Sequence, residues 1–440
     1  ESSFTSIHQH ISEEIGQVVN AAAGWGHTVL QCKNYKGEIK TYVAGRPYDF
    51  QALLRLNRLP CFVRRAAISM SLKLDEEADL GFLGSNAVEG YFKLDDMPAF
   101  QKTVLPQFQE IQLPDGDVPL VDPQSQTLAA SAGLTALIGK SGKAYSFGLN
   151  KCGQCGVGDD ESVHIWQPSH IELGDGDETK VTDVALGLQH GLVLDENGYV
   201  HAFGKSSRGQ LGIALSREGT EEPDDSTIST INSSVDYEYS PIRVSNFEIT
   251  SDSGLPVELP RGERNVKKIA AGFNHSAAIT KSNHAFLWGK NVLLDPETLK
   301  AVDSLAPIQI KGLPQNLEIL DISCGSHHTS ILLEDGSVYA TGITTDTKEQ
   351  IGGKTLVQII PPGLIDMPVR QFISHFDRTT VVAGECGEQV LEVQLWSTEE
   401  LRKEAVFEPC WVEEMLTQTD QIMSVHRGWL HTVVVGGTDR

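Results

Sequence analysis

The stretch that decides the fold is GLQHGLVLDENGYVHAFGKSSRGQLG, residues 187–212. Leu192, Val193 and Leu194 form a short apolar run, and Tyr199 to Phe203 form a second one. Between them stands Asn197-Gly198, the pair that supplies two positive-φ residues to a type I′ turn, so the stretch reads as a β-hairpin. Gly204 ends the second strand, and Gly209 and Gly212 allow tight turns in the tail that follows.

The same pattern recurs along the chain. The residue after His190 and the glycine closing the hairpin, Gly191 and Gly204, are 13 apart. So are Ser276 and Gly289, Thr329 and Gly342, and Thr135 and Gly148, where Leu134 replaces the histidine. Three of these copies carry glycine at the turn: Gly142, Gly198 and Gly336. The first copy, around His27, has a longer hairpin ending at Gly45. A worn copy has Arg378 in the histidine position, and a last one, GWLHTVVV, contains His431. The tail repeats too, as GLNKCGQCG and GKSSRGQLG. From 275 to 328, 328 to 378 and 378 to 431 the steps are 53, 50 and 53 residues. A period near fifty, built from short strands and glycine turns, predicts a β-propeller of four-stranded blades. Helical repeats need apolar spacings of three and four, which these segments lack.

These motifs resemble the regulator-of-chromosome-condensation (RCC1-type) repeat. The resemblance rests on AAGFNHS, SCGSHHTS, DGSVYATG and SFGLNKCGQCG, and covers about 20–45 and 127–440. It implies an all-β, seven-bladed β-propeller of four-stranded blades occupying 1–440 as one domain, with insertions at about 46–126 and 216–262. It also implies that an N-terminal strand completes the last blade, for which Ser3 to Ile7 is the candidate here. A weak match at Ser71 to Gly84, with Met70 in the histidine position, leaves an eight-bladed ring as the alternative. The first copy and the NKCGQCG tail are most similar to the mitochondrial RCC1-like branch.

Composition narrows the function. The 440 residues carry a net charge of −24, which opposes broad contact with nucleic-acid phosphates, so an rRNA partner is disfavoured though open. No apolar run is long enough to span a bilayer. Seven cysteines form no small-domain framework, so a reducing compartment is expected. Cys152-Gly-Gln-Cys155 lacks the second pair that a structural zinc needs. In Gly133-Leu-Thr-Ala-Leu-Ile-Gly139-Lys140-Ser141, five residues separate the glycines where a P-loop has four, and the repeat puts Lys140-Ser141 on a hairpin turn. The histidines fall at one equivalent place per blade, so they read as packing and hydrogen-bonding devices, not a metal or catalytic cluster. Only two of the six tryptophans, Trp25 and Trp429, sit in the motif, so light sensing of the kind found in plant members of the family is not expected. No catalytic residues, metal or cofactor are expected.

Function is therefore sought in the insertions, since loops on a rigid scaffold carry binding. Glu221, Glu222, Asp224 and Asp225 form an acidic run, followed by Tyr237 and Tyr239; Arg64 and Arg65 lie in the other insertion. These are the candidate partner-binding residues, against the plain reading of solvated loops. The resemblance implies a non-catalytic interaction scaffold of the mitochondrial matrix, bound to ribosome-assembly factors or a GTPase. The alternative it implies is a guanine-nucleotide exchange factor for a Ran-like small GTPase in nucleus or cytosol.

Overall fold

A computed structural model of the chain describes residues 16–45, 47–48, 105–174, 179–213, 237–244, 247, 249–250, 256–257, 265–294, 301–343, 350–351, 356–376, 378–385, 387–395, 406–409, 412, 421–428 and 432–437. The opening stretch is a hairpin: His190 pairs with Gly204 and Leu194 with Val200. Its turn differs from the expected type. Gly198 takes a φ of 83°, but Asn197 is not in the left-handed region. The Gly198 N–H donates to the Asp195 carbonyl (2.9 Å), and the Asp195 carboxylate accepts from the N–H groups of Asn197 and Tyr199 (both 2.9 Å). Aspartate capping thus makes a single left-handed residue sufficient. The fourth blade has Asn283 in that place, with a φ of 64°.

Four antiparallel strands make each complete blade. Blade 1 is β1 (Gln17–Ala23), β2 (His27–Lys33), β3 (Ile39–Gly45) and β4 (Leu105–Ile111). Blade 2 is β5 (Leu128–Ala130), β6 (Leu134–Ile138), β7 (Ala144–Leu149) and β8 (His164–His170). Blade 3 is β9 (Val181–Leu186), β10 (His190–Asp195), β11 (Val200–Lys205) and β12 (Tyr237–Arg243), followed by the small hairpin β13 (Ile249–Thr250) and β14 (Pro256–Val257). Blade 4 is β15 (Val266–Ala271), β16 (His275–Thr280), β17 (Ala285–Leu294) and β18 (Ala301–Gln309). Blade 5 has five strands: β19 (Ile319–Cys324), β20 (His328–Leu333), β21 (Val338–Ile343), β22 (Gln350–Ile351) and β23 (Val357–Ile360). Blade 6 is β24 (Val369–His375), β25 (Arg378–Ala383), β26 (Gln389–Gln394) and β27 (Val406–Phe407). A last sheet holds only β28 (Gln421–Arg427) and β29 (Thr432–Gly437).

The propeller of four-stranded blades is as expected, but its count is not. Six complete blades and one two-stranded sheet stand among the described residues where seven complete blades were predicted. The short sheet holds its place by packing on both neighbours. Ile422 and Val425 pack with Val382 and Val390 of blade 6, while Val433 packs with Ala21, Leu30 and Tyr42 of blade 1. Successive inner strands touch all the way round, from β1 through β5, β9, β15, β19, β24 and β28 back to β1, so the ring is closed. Ser3 to Ile7 and Ser71 to Gly84 lie outside the described residues. Within the two stretches read as insertions, β4 and β12 are the outer strands of blades 1 and 3.

The core lies between blades. Leu134, Leu137, Phe147 and Tyr145 of blade 2 share one apolar cluster with Val184, Val193 and Phe203 of blade 3. Leu192, Ala202 and Leu211 of blade 3 share another with Phe286 and Trp288 of blade 4. A single sheet cannot bury both faces, and its neighbours in the ring supply the cover.

Candidate functional site: the central channel and its rims

Four of the repeated histidines each link their blade to the next, and His431 lies outside the described residues. His27 Nε2 lies 2.9 Å from Thr135 Oγ1, His190 Nε2 2.9 Å from Ser276 Oγ, His275 Nε2 3.1 Å from Thr329 Oγ1, and His328 Nε2 3.3 Å from Thr379 Oγ1. In each pair the hydroxyl belongs to the residue just after the histidine position of the following blade. Ser276 Oγ donates to the Gln210 carbonyl (2.8 Å), so its oxygen accepts from His190, whose Nε2 carries the proton. Burial pushes His190, His275 and His328 down to about 3, keeping them neutral. The glycine three residues before each histidine makes room for its ring. A Cβ on Gly24, Gly187, Gly272 or Gly325 would overlap the imidazole. The histidines are structural ties, as the sequence reading held.

Between blades 2 and 3 both partners of the tie are missing. Leu134 has no imidazole, and the matching position of blade 3 is Gly191, which has no hydroxyl. The Phe203 ring fills the space a Cβ on Gly191 would take. Arg378 instead reaches back within its own blade to the fully buried Glu392 (3.1 Å).

The glycine-rich tails reach across the same seams. In blade 3 the Gln210 carbonyl accepts from Ser276 Oγ and from Trp288 Nε1 (3.0 Å) of blade 4. In blade 2 the tail carries Cys152 and Cys155, both buried free thiols, and Gly156 lies against Phe203 of blade 3. Burial raises both thiol pKa values, so neither is a poised nucleophile.

Residues two or three before the histidine position gather at one mouth of the central channel. Their main chains join blade to blade: Trp25 N–H to Ser131 O (3.1 Å), Leu188 N–H to Phe273 O (3.2 Å), Phe273 N–H to Ser326 O (3.3 Å) and Ser326 N–H to Phe376 O (2.9 Å). Rings close over this belt. Phe273 stands 5.0 Å from Trp25 and 5.8 Å from Phe376, so blades 1, 4 and 6 meet across the mouth. Phe376 has a φ of 47°, a strained value for a bulky residue.

Below this cap lies a cavity of about 580 Å³. Every inner strand except β5 shows a register shift near its start, and the residue just past it is polar: Asn20, Asp183, Lys268, Asp321, Gln371 and Ser424. These six line the channel as a belt. Burial raises the carboxyl pKa of Asp321. The segment between β4 and β5 enters here. Gln126 N–H donates to Asp183 Oδ1 (2.9 Å), and Lys268 Nζ donates to the Gln124 carbonyl (3.0 Å). The belt escapes sequence reading because its residue types vary and only the register aligns them. The P-loop look-alike is likewise settled by this segment. Asp117 accepts from Ser141 N–H (3.2 Å), from the Ser141 hydroxyl and from Tyr145 Oη (3.0 Å), so a carboxylate of the chain itself fills the turn.

Of the candidate partner-binding residues, Glu221, Glu222, Asp224, Asp225, Arg64 and Arg65 lie outside the described residues. Tyr237 and Tyr239 stand on β12. Tyr237 is exposed, and Tyr239 is half-buried, its hydroxyl 3.5 Å from the Lys151 carbonyl. Among the described residues no helix is long and apolar enough to cross a membrane.

Interlocked blades, a histidine tie at the seams and glycine-rich tails define a class, the repeat-built β-propellers. The chain carries RCC1 repeats: one model of the regulator of chromosome condensation (RCC1) repeat matches 141–194, and a second matches 181–210, 266–292 and 319–346. It is similar to the guanine nucleotide exchange factor SRM1 of Saccharomyces cerevisiae, 26% identical over 276 residues, which are 59% of this chain and 51% of that protein. It is also similar to the human probable E3 ubiquitin-protein ligase HERC6, 29% identical over 46% of this chain and 16% of that protein. With the human regulator of chromosome condensation it shares 25% identity over 48% of this chain and 42% of the relative. The chain thus spans from 16% to about half of the length of these relatives. Yeast RCC1 (Prp20), in its complex with Kap60, shares the fold with a TM-score of 0.56 and 19% identity, covering 96% of this chain and 81% of that one.

Proposed function

We propose that this propeller is a non-catalytic protein-interaction platform that regulates a small GTPase. The observation that carries the reading is the use made of the motif's chemical side chains. Four of the motif histidines tie blades together and Cys152 and Cys155 pack in a seam, so the repeat builds a rigid frame whose rims and insertions are left for recognition. The names of relatives support the GTPase: one is a guanine nucleotide exchange factor of yeast, and another is a secretion-regulating guanine nucleotide exchange factor of Bos taurus, 27% identical over 49% of this chain. Exchange needs no covalent step. A protein that binds the nucleotide-free GTPase more tightly than the loaded one lowers nucleotide affinity by the same factor.

The assay is release of a fluorescent guanine nucleotide from a Ran-type GTPase. The reading expects release to accelerate with added propeller and the nucleotide-free GTPase to co-elute with it. Unchanged release and no co-elution would rule out exchange. The narrower reading, a matrix scaffold for ribosome assembly, has its own test. Tagged protein recovered from cells would bring down ribosomal proteins and rRNA from a mitochondrial fraction.

A further inference from the structure

The outer edge of blade 2 holds a feature the platform reading does not use. Trp166, on β8, is 51% exposed, although tryptophan is a large apolar side chain. Two neighbouring rings hold it in place. His164 stacks on it at 4.9 Å with rings 28° apart, and Tyr48 tilts against it at 4.9 Å. The Tyr48 hydroxyl donates to the Trp166 carbonyl (2.9 Å), and Tyr48 is itself buried against Phe147. An exposed indole fixed in this way loses little side-chain entropy on binding. Val163, three residues earlier, is also 51% exposed.

The turn leading into β8 is acidic and built. Asn150 Nδ2 donates to the carbonyls of Asp159 (2.6 Å) and Ser162 (3.3 Å). Asp159 Oδ1 accepts from the N–H groups of Glu161 (3.0 Å) and Ser162 (2.8 Å). These bonds hold Asp160 and Glu161 outward, both exposed. At roughly 3.3 Å per residue along an extended strand, the acids lie within about 20 Å of Trp166. A backbone partner is disfavoured on this edge, because Pro168 in β8 has no N–H to offer a ladder. Recognition here would be by side chains.

Resting on the platform reading above, we propose that this edge docks an arginine-bearing segment of a partner protein, with a guanidinium on the Trp166 face and further cations against Asp160 and Glu161. Both halves point to the same chemistry. An aromatic face attracts a desolvated cation, most often arginine. Exposed carboxylates on a chain of net charge −24 steer basic partners and repel polyanions.

The test is fluorescence anisotropy with a labelled, end-blocked Arg-Gly repeat peptide at low and physiological salt. Trp166→Ala is expected to weaken binding roughly three- to thirtyfold. The Asp160→Asn/Glu161→Gln pair is expected to weaken it and to flatten its salt dependence, and a citrulline-for-arginine peptide should not bind. Thermal melts show whether each variant is folded, and Trp166→Phe, which keeps an aromatic face, should retain much of the binding. Equal binding by wild type and Trp166→Ala overturns the proposal. So does a Trp166-dependent complex with a single-stranded oligonucleotide, or a homodimer that Trp166→Ala dissociates. The nucleotide-release assay on Trp166→Ala separates the two readings, since intact exchange with lost peptide binding leaves the platform standing apart from this edge.

Discussion

At the scale of single residues, the G-x-x-H motif is one steric and one polar requirement in register. The glycine clears a volume, and the imidazole fills it and reaches across the seam. Gly187→Ala places a methyl group inside the His190 ring position and is expected to cost about 1–3 kcal/mol, the range for overpacking a filled core; chemical denaturation measures it. Ser276→Ala should cost about as much, because it strips a partner from both the His190 Nε2–H and the Gln210 carbonyl in a buried site. A change in stability within experimental error for Ser276→Ala would deny the hydroxyl its bridging role. Leucine at 134 was visible in the sequence as a lost histidine. That Gly191 lacks the matching hydroxyl was not, because it sits 57 positions further on, in another blade.

At the scale of elements, the seams differ in kind. Blades 3 and 4 are joined by a histidine, a serine, a tail carbonyl and an indole N–H. Blades 2 and 3 are joined at the same positions by Leu134, Gly191 and Phe203, an apolar join. Leu134→His therefore should not repair the motif. It buries an imidazole opposite a glycine and is expected to destabilise the fold by about 1–3 kcal/mol, read as a lowered denaturation midpoint. The hairpins were legible because alternating apolar residues and a turn glycine act over a few positions. The turn type was not legible, because Asp195 capping and the Tyr199 N–H replace a second left-handed residue. The channel belt was hidden for a related reason. A register shift in every inner strand but β5 sets which residue turns inward, and nothing in a lone strand marks where that shift falls.

For the whole molecule, the ties make stability depend on pH. His190, His275 and His328 titrate near 3 in the fold, and His327 and His426 near 4, against about 6.5 when unfolded. Below 6.5 the unfolded chain binds protons that the folded chain refuses, so stability is full above that value and falls as pH drops toward 3. The melting temperature should decline steadily between pH 6.5 and 4, and His275→Gln should shallow that decline. A flat profile over this range would contradict the burial of neutral imidazoles.

Sequence alone determined the repeat, its period, the hairpins and the propeller they imply, because each rests on contacts between residues close in the chain. Tertiary structure alone decided the number of complete blades, the hydroxyl each histidine meets, the carboxylate that fills the Ser141 turn, and the tryptophan left standing on the edge of blade 2. These depend on which distant strands become neighbours when the ring closes, and ring closure is a property of all the blades together.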